Sequence, residues 1–189
     1  MKLTSFNGYL KAELQASFQE LYAEQEKLAD TSILLVSADG ITDTVDAQTA
    51  EFLLAAPFLT IFAAENPNLY DYSTLSAFDV RLAAEPYDAK KITVDDRYRL
   101  LCGDGAYDKM LHTNCDAAVN FVTIPEMEEG FSSGVSAYME TLCKEKTKEH
   151  LAILVGCIRA SQNGRAAVLK AESKGFYQLM QQKTEGSNG

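Results

Sequence analysis

The sequence predicts one α+β domain: an antiparallel sheet built from two hairpins, an N-terminal amphipathic helix, and one or two covering helices. Three observations predict it. An apolar stripe recurs at steps near 3.6 residues through residues 5–29. Asp39-Gly40 and Asn163-Gly164 each stand between apolar runs, the signature of a tight hairpin turn. No internal repeat and no linker divides the 189 residues. Residues 1–183 are therefore expected to form a single domain, with 184–189 as a flexible tail.

The elements follow in order. Phe6, Leu10, Leu14, Phe18, Leu21 or Tyr22, and Leu28 line one face of the expected helix over 5–29. Asp30-Thr31-Ser32 breaks it. Ile33 to Val36 reads as a buried strand, and Asp39-Gly40 turns it into a second strand over residues 41–45. From Asp46 to Ala64 the spacing is helical, with Asp46 as N-cap and Pro57 splitting the segment or starting a second helix. Residues 65–68 stop it and residues 70–73 form a loop. Residues 74–84 fit helix or strand equally.

Arg97 to Cys102 alternates as a strand does, and Gly103-Asp104-Gly105 is a turn. Ala118 to Ile124 is a strand. A helix starts either at the capping box Thr123-Ile124-Pro125-Glu126 or after Gly134. Leu151 to Ile158 is a nearly unbroken apolar run and reads as a central strand. The Asn163-Gly164 hairpin follows, and residues 176–182 suggest a short last helix.

Composition narrows the class. Hydrophobic residues make up 47% and the net charge is −10, so the chain has the apolar content to fold and no default affinity for nucleic acid. Residues 31–90 carry a net −7 and residues 131–189 a net +3. That asymmetry suits self-association or a protein partner. The longest low-polarity stretch, Phe52 to Ala64, is too short to span a bilayer and contains Pro57. The expected protein is soluble and cytoplasmic.

Four cysteines, Cys102, Cys115, Cys143 and Cys157, form no C-x-x-C pair. They read as buried reduced thiols, with two structural disulfides as the alternative.

Motifs with chemistry are sparse. Gly103-Asp104-Gly105 lacks the third glycine of a dinucleotide loop, since Asp108 stands in its place. His112-Thr113-Asn114-Cys115-Asp116 is the densest cluster of ligand-type side chains, and His112 with Cys115 can in principle form a dyad or half a zinc site. Asp104, His112, Cys115 and Asp116 are therefore the candidate ligand-binding residues. The acidic groups Asp39/Asp43/Asp46, Asp95-Asp96 and Glu126/Glu128/Glu129 match no calcium loop. No metal and no cofactor is expected. Tyr70, Tyr72, Phe78 and Tyr87 place aromatics in the acidic middle, a composition suited to a binding surface.

Two segments resemble known families. Ile33 to Ala50, taken as strand, Asp-Gly turn, strand and helix, resembles the opening of a PAS-type sensor domain, without a diagnostic cofactor residue. Cys115-Asp116, Pro125-Glu126 and Gly130 resemble the crotonase family. That family's glycine-rich oxyanion loop is not matched, and the chain is short for it. Neither resemblance assigns a functional residue.

With no catalytic constellation in view, the sequence predicts a non-enzymatic binding or assembly module. It would be a homo-oligomer or part of a larger complex, such as a virion or another multi-subunit structure. The alternative is a small-molecule sensor or an enzyme with a pocket near Asp104, His112 and Cys115.

Overall fold

A computed structural model describes residues 1–84, 121–125 and 128–161, together with the helical residues 174, 175, 178 and 180. Its elements are β1 (Lys2–Phe6), β2 (Tyr9–Glu13), α1 (Gln19–Ala23), α2 (Gln25–Leu28), β3 (Ile33–Ser37), α3 (Ala47–Ala55) and β4 (Leu59–Ala64). A 3₁₀ turn (Pro67–Leu69), α4 (Tyr72–Ser76), β5 (Val80–Ala84), β6 (Phe121–Ile124), α5 (Phe131–Glu145) and α6 (Lys148–Ser161) complete them.

The strands form one six-stranded sheet in the order β1-β2-β3-β4-β5-β6. Only β1 and β2 are antiparallel. The pairs β2–β3, β3–β4, β4–β5 and β5–β6 are all parallel. This is an α/β fold, and the expected antiparallel two-hairpin sheet is not formed.

Strand period explains the layering. In β3, Leu34 and Val36 enter one apolar cluster while Ile33 and Leu35 enter another. In β4, Phe62 and Ala64 join the first, and Leu59, Ile61 and Ala63 join the second. Both faces of these strands are buried, so they read as continuous apolar runs. Phe18, Leu21, Leu28, Leu53 and Leu75 cover the first face from α1–α4 and the segment before them. Val135 and Met139 of α5, with Leu151 and Val155 of α6, cover the second.

Several expectations are corrected by these elements. Residues 5–29 are not one helix: Gly8, at φ +96°, turns β1 into β2. A β-carbon on Gly8 would stand 3.0 Å from the Cys143 side chain, so glycine is required twice over. Leu10 and Leu14, four residues apart, both meet the first cluster, a spacing that suits a strand as well as a helix, whereas Phe6 stacks on Tyr9 across the turn. Residues 41–45 form no strand. Ile41 and Val45 instead turn into the first cluster, and the Asp39-Gly40 turn leads into a crossover helix. Without that second strand the PAS-type opening is absent.

Asp46 is the N-cap of α3, its carboxylate accepting the Thr49 N–H at 2.8 Å. Pro57 ends that helix, and residues 59–64 are strand. Asp71, expected in a loop, caps α4 in the same way through Thr74 N–H at 2.8 Å. Leu151 to Ile158 is helix, because Leu151 and Val155 are buried one turn apart while Ala152 and Gly156 face outward. The helix of residues 131–145 starts behind Gly130, at φ +87°, between the two expected starts. Residues 97–105 and the Asn163-Gly164 hairpin lie outside the described residues.

Right-handed parallel crossovers bring successive helices over the sheet and leave two distinct strand ends. At the N-terminal ends, Arg159 of α6 reaches under the sheet. Its guanidinium donates to both carboxylate oxygens of Asp79, at 2.9 and 3.0 Å, and to the carbonyl oxygen of Ala56 at 2.6 Å. Asp79 also accepts from the Thr60 N–H at 3.0 Å and its hydroxyl at 2.9 Å. One arginine thereby ties α6 to the start of β5, the second residue of β4 and the end of α3.

Candidate functional site

The C-terminal ends of β3 and β4 carry the chemistry-bearing loops, where open α/β sheets hold their ligands. β3 ends at Ser37, and the chain turns over Ala38-Asp39-Gly40. Ile41 N–H donates to Ala38 O at 3.0 Å, and Gly40 sits at φ +81°, a conformation natural to glycine. β4 ends at Ala64 and passes through the 3₁₀ turn to Tyr70 and Asp71.

Two long-range bonds fasten the loops together. The Tyr70 hydroxyl donates to Ala38 O at 2.8 Å. Val45 N–H donates to the Thr74 hydroxyl at 3.1 Å. An aromatic cluster supports Tyr70 from below: its ring meets Phe62 edge-on at 4.9 Å, and Phe62 stacks on Phe78 at 4.9 Å.

The edge is acidic. Residues 28–80 contain no Lys, Arg or His, whereas Asp39, Asp43, Asp46, Glu65 and Asp71 lie in or beside these loops. Their environments differ. The N–H of Thr49 holds the Asp46 carboxyl below the usual carboxylate range. Asp43 goes the other way: burial pushes its carboxyl up, the backbone N–H groups of Phe18 and Asp43 partly oppose that, and the charges of Glu20 and Asp46 add to the rise. Asp43 Oδ1 and Asp71 Oδ2 are buried oxygens without a hydrogen-bond partner among the described residues. The Tyr70 hydroxyl is pushed up to about 12 by burial and by the charge of Asp39.

This arrangement provides a carboxyl group disposed to hold a proton, with one buried oxygen unpartnered among the described residues. It provides no anion site at the two helix starts, because Asp46 and Asp71 already take the N–H groups of Thr49 and Thr74. In the sequence Asp39, Asp43 and Asp46 match no calcium loop. Asp43 is half-buried, a position that no local pattern announces.

Asp104, His112, Cys115 and Asp116 lie outside the described residues. The chain leaves the described sheet at Ala84, on this same edge, and re-enters at Phe121. Among the described residues no group of three or more His, Cys, Asp or Glu side chains is placed to hold a metal ion. Cys143 is a free, half-buried thiol, and burial pushes it up. No helix among the described residues is long and apolar enough to cross a membrane.

No family profile matches this sequence, and no curated protein matches it. Solved structures do. An enoyl-CoA hydratase/isomerase family member superposes with a TM-score of 0.56 at 11% identity, over 95% of this chain and 89% of its own. A protein from Magnetospirillum magneticum AMB-1, named as an enoyl-CoA hydratase/carnithine racemase, superposes with a TM-score of 0.53 at 14% identity over the same shares. At these identities the likeness shows the fold. It overturns the α+β expectation, and the enzyme names of these neighbours stand against the expectation of a non-enzymatic assembly module.

Proposed function

We propose that the chain is an enzyme of the enoyl-CoA hydratase/isomerase type, moving a proton beside the carbonyl of an acyl thioester held at the C-terminal edge of β3 and β4. The observation that carries this reading is the superposition of the whole layered sheet on two proteins of that description, over 95% of the chain. The reaction class comes from the fold by analogy; the residues come from the edge itself.

Asp43 is the proton-transfer group in this reading. Burial raises its proton affinity, and its Oδ1 is unpartnered among the described residues. Removing a proton next to the carbonyl places negative charge on the carbonyl oxygen, which then needs N–H donors. With Thr49 and Thr74 N–H already engaged, the reading assigns that role to the backbone of the Asp39-Gly40 turn. The acidic edge favours the uncharged thioester end of the substrate. Cations for its phosphates belong to the basic residues 131–189, the part with a net +3.

The test is consumption of crotonyl-CoA, followed by loss of the enoyl absorbance. The wild type is expected to turn over, and Asp43→Asn to fall by about 10²-fold or more. No consumption by the wild type, or equal rates in the variant, removes the reading.

A second reading keeps the sensor or enzyme pocket at Asp104, His112, Cys115 and Asp116. Its support is that the segment carrying them departs from the same strand edge, at Ala84. Ligand protection of Cys115 from alkylation, lost in His112→Ala, is its expected signature. For compartment we retain the cytoplasm, supported by the free thiol of Cys143.

A further inference from the structure

A cavity lies away from the strand edge, between α1–α2 and the outer face of α3. It is a groove open to solvent with a volume of about 450 Å³, within the range of small-molecule sites. Tyr22 and Gln25 form one wall; Gln48, Glu51 and Phe52 form the other; Pro57 closes the end. Helix spacing makes the second wall, since positions 48, 51 and 52 fall on one face.

The walls share a chemistry. The Tyr22 and Phe52 rings meet edge to face, 6.4 Å apart at 75°. Phe52 is in turn fixed by Phe58 at 6.3 Å, so the aromatic surface is held by the core. Glu51 is exposed and makes no ion pair among the described residues. No basic side chain lines the cavity. Lys27, on α2, pairs with Glu24, and Arg159, which reaches Ala56 O, is paired with Asp79. Aromatic faces, a free carboxylate and two amide oxygens all attract positive charge.

We propose that this cavity binds a small organic ammonium ion. The site is independent of acyl-thioester chemistry at the strand edge and does not need it. Glu51 supplies the counter-charge, Tyr22 and Phe52 supply the π faces, and Gln25 and Gln48 accept any N–H of the ligand.

The experiment is a nuclear magnetic resonance titration of the full chain with choline and, separately, with its neutral carbon analogue 3,3-dimethylbutan-1-ol. Choline is expected to shift amides near residues 22–25 and 48–57 saturably, and to bind about tenfold tighter than the alcohol. Glu51→Gln is expected to weaken choline about threefold and leave the alcohol unchanged. Tyr22→Leu is expected to weaken choline by a similar factor. Both side chains are exposed, so the fold is kept. Equal affinity for choline and the alcohol, unsaturable shifts, or unchanged choline binding in both variants overturns the proposal.

Discussion

The two ends of the parallel sheet are built from similar residues and treat them in opposite ways. At the N-terminal ends, Asp79 accepts four hydrogen bonds, two from Thr60 and two from Arg159. Its side chain is 4% exposed. At the C-terminal ends, Asp43 and Asp71 each keep one buried oxygen unpartnered among the described residues. A saturated carboxylate locks layers together. An unsaturated one stores unmet hydrogen-bonding capacity, which costs stability. The difference assigns architecture to one end and chemistry to the other.

The comparison is broken most sharply at Arg159. Arg159→Met leaves the Asp79 carboxylate buried without its partner, and urea unfolding should show a loss of about 3–5 kcal/mol. A loss below about 1 kcal/mol would mean that the clamp does not hold α6.

Next in size is Gly40→Ala. Nothing lies within 4 Å of the added carbon, so the cost is conformational only, about 1–2 kcal/mol, read by the same unfolding curve. Tyr70→Phe removes the bond to Ala38 O and should cost about 1 kcal/mol. It also has a pH signature. Tyr70 stays neutral in the fold up to about 12, whereas an unfolded tyrosine ionises near 10. The stability this contributes is complete below pH 10 and is lost as pH rises toward 12. The variant should flatten that decline.

The smallest effect has the opposite sign. The Asp43 carboxyl is raised in the fold, so its contribution is fully present below the unfolded carboxylate value and is lost as pH rises through the folded one. Asp43→Asn should therefore match the wild type in acid and exceed it slightly at neutral pH. A variant that is less stable at neutral pH would show that Asp43 is a structural group.

Parts of this fold were legible in the sequence and parts were not, for physical reasons. Ile33 to Val36 announces a strand because its branched side chains are buried on both faces. Asp46 announces a helix start because a carboxylate there meets an N–H that has no other partner. The run from Leu151 to Ile158 misleads, since a buried strand and a buried helix segment are both continuously apolar. Lys148 and Glu149 before it and Arg159 after it mark a longer element. Residues 5–29 mislead because steps of four fit both periods, and only Gly8 carries the signal that they fold back. Parallel pairing is invisible locally: it joins Leu10 to Leu34 and Ile61 to Val80, positions with nothing in common until crossover helices are placed. The candidate site was missed for the same reason. Ala38 meets Tyr70, and Val45 meets Thr74, only after β3 and β4 lie side by side.

Hydrogen–deuterium exchange, with and without a saturating short-chain acyl-CoA, tests the division of the molecule most directly. The amides of residues 38–43 and 65–71 should gain protection, while those around Ala56–Phe58 and Asp79 should exchange as before. Protection confined to the N-terminal strand ends, or no change at residues 38–43, would contradict it.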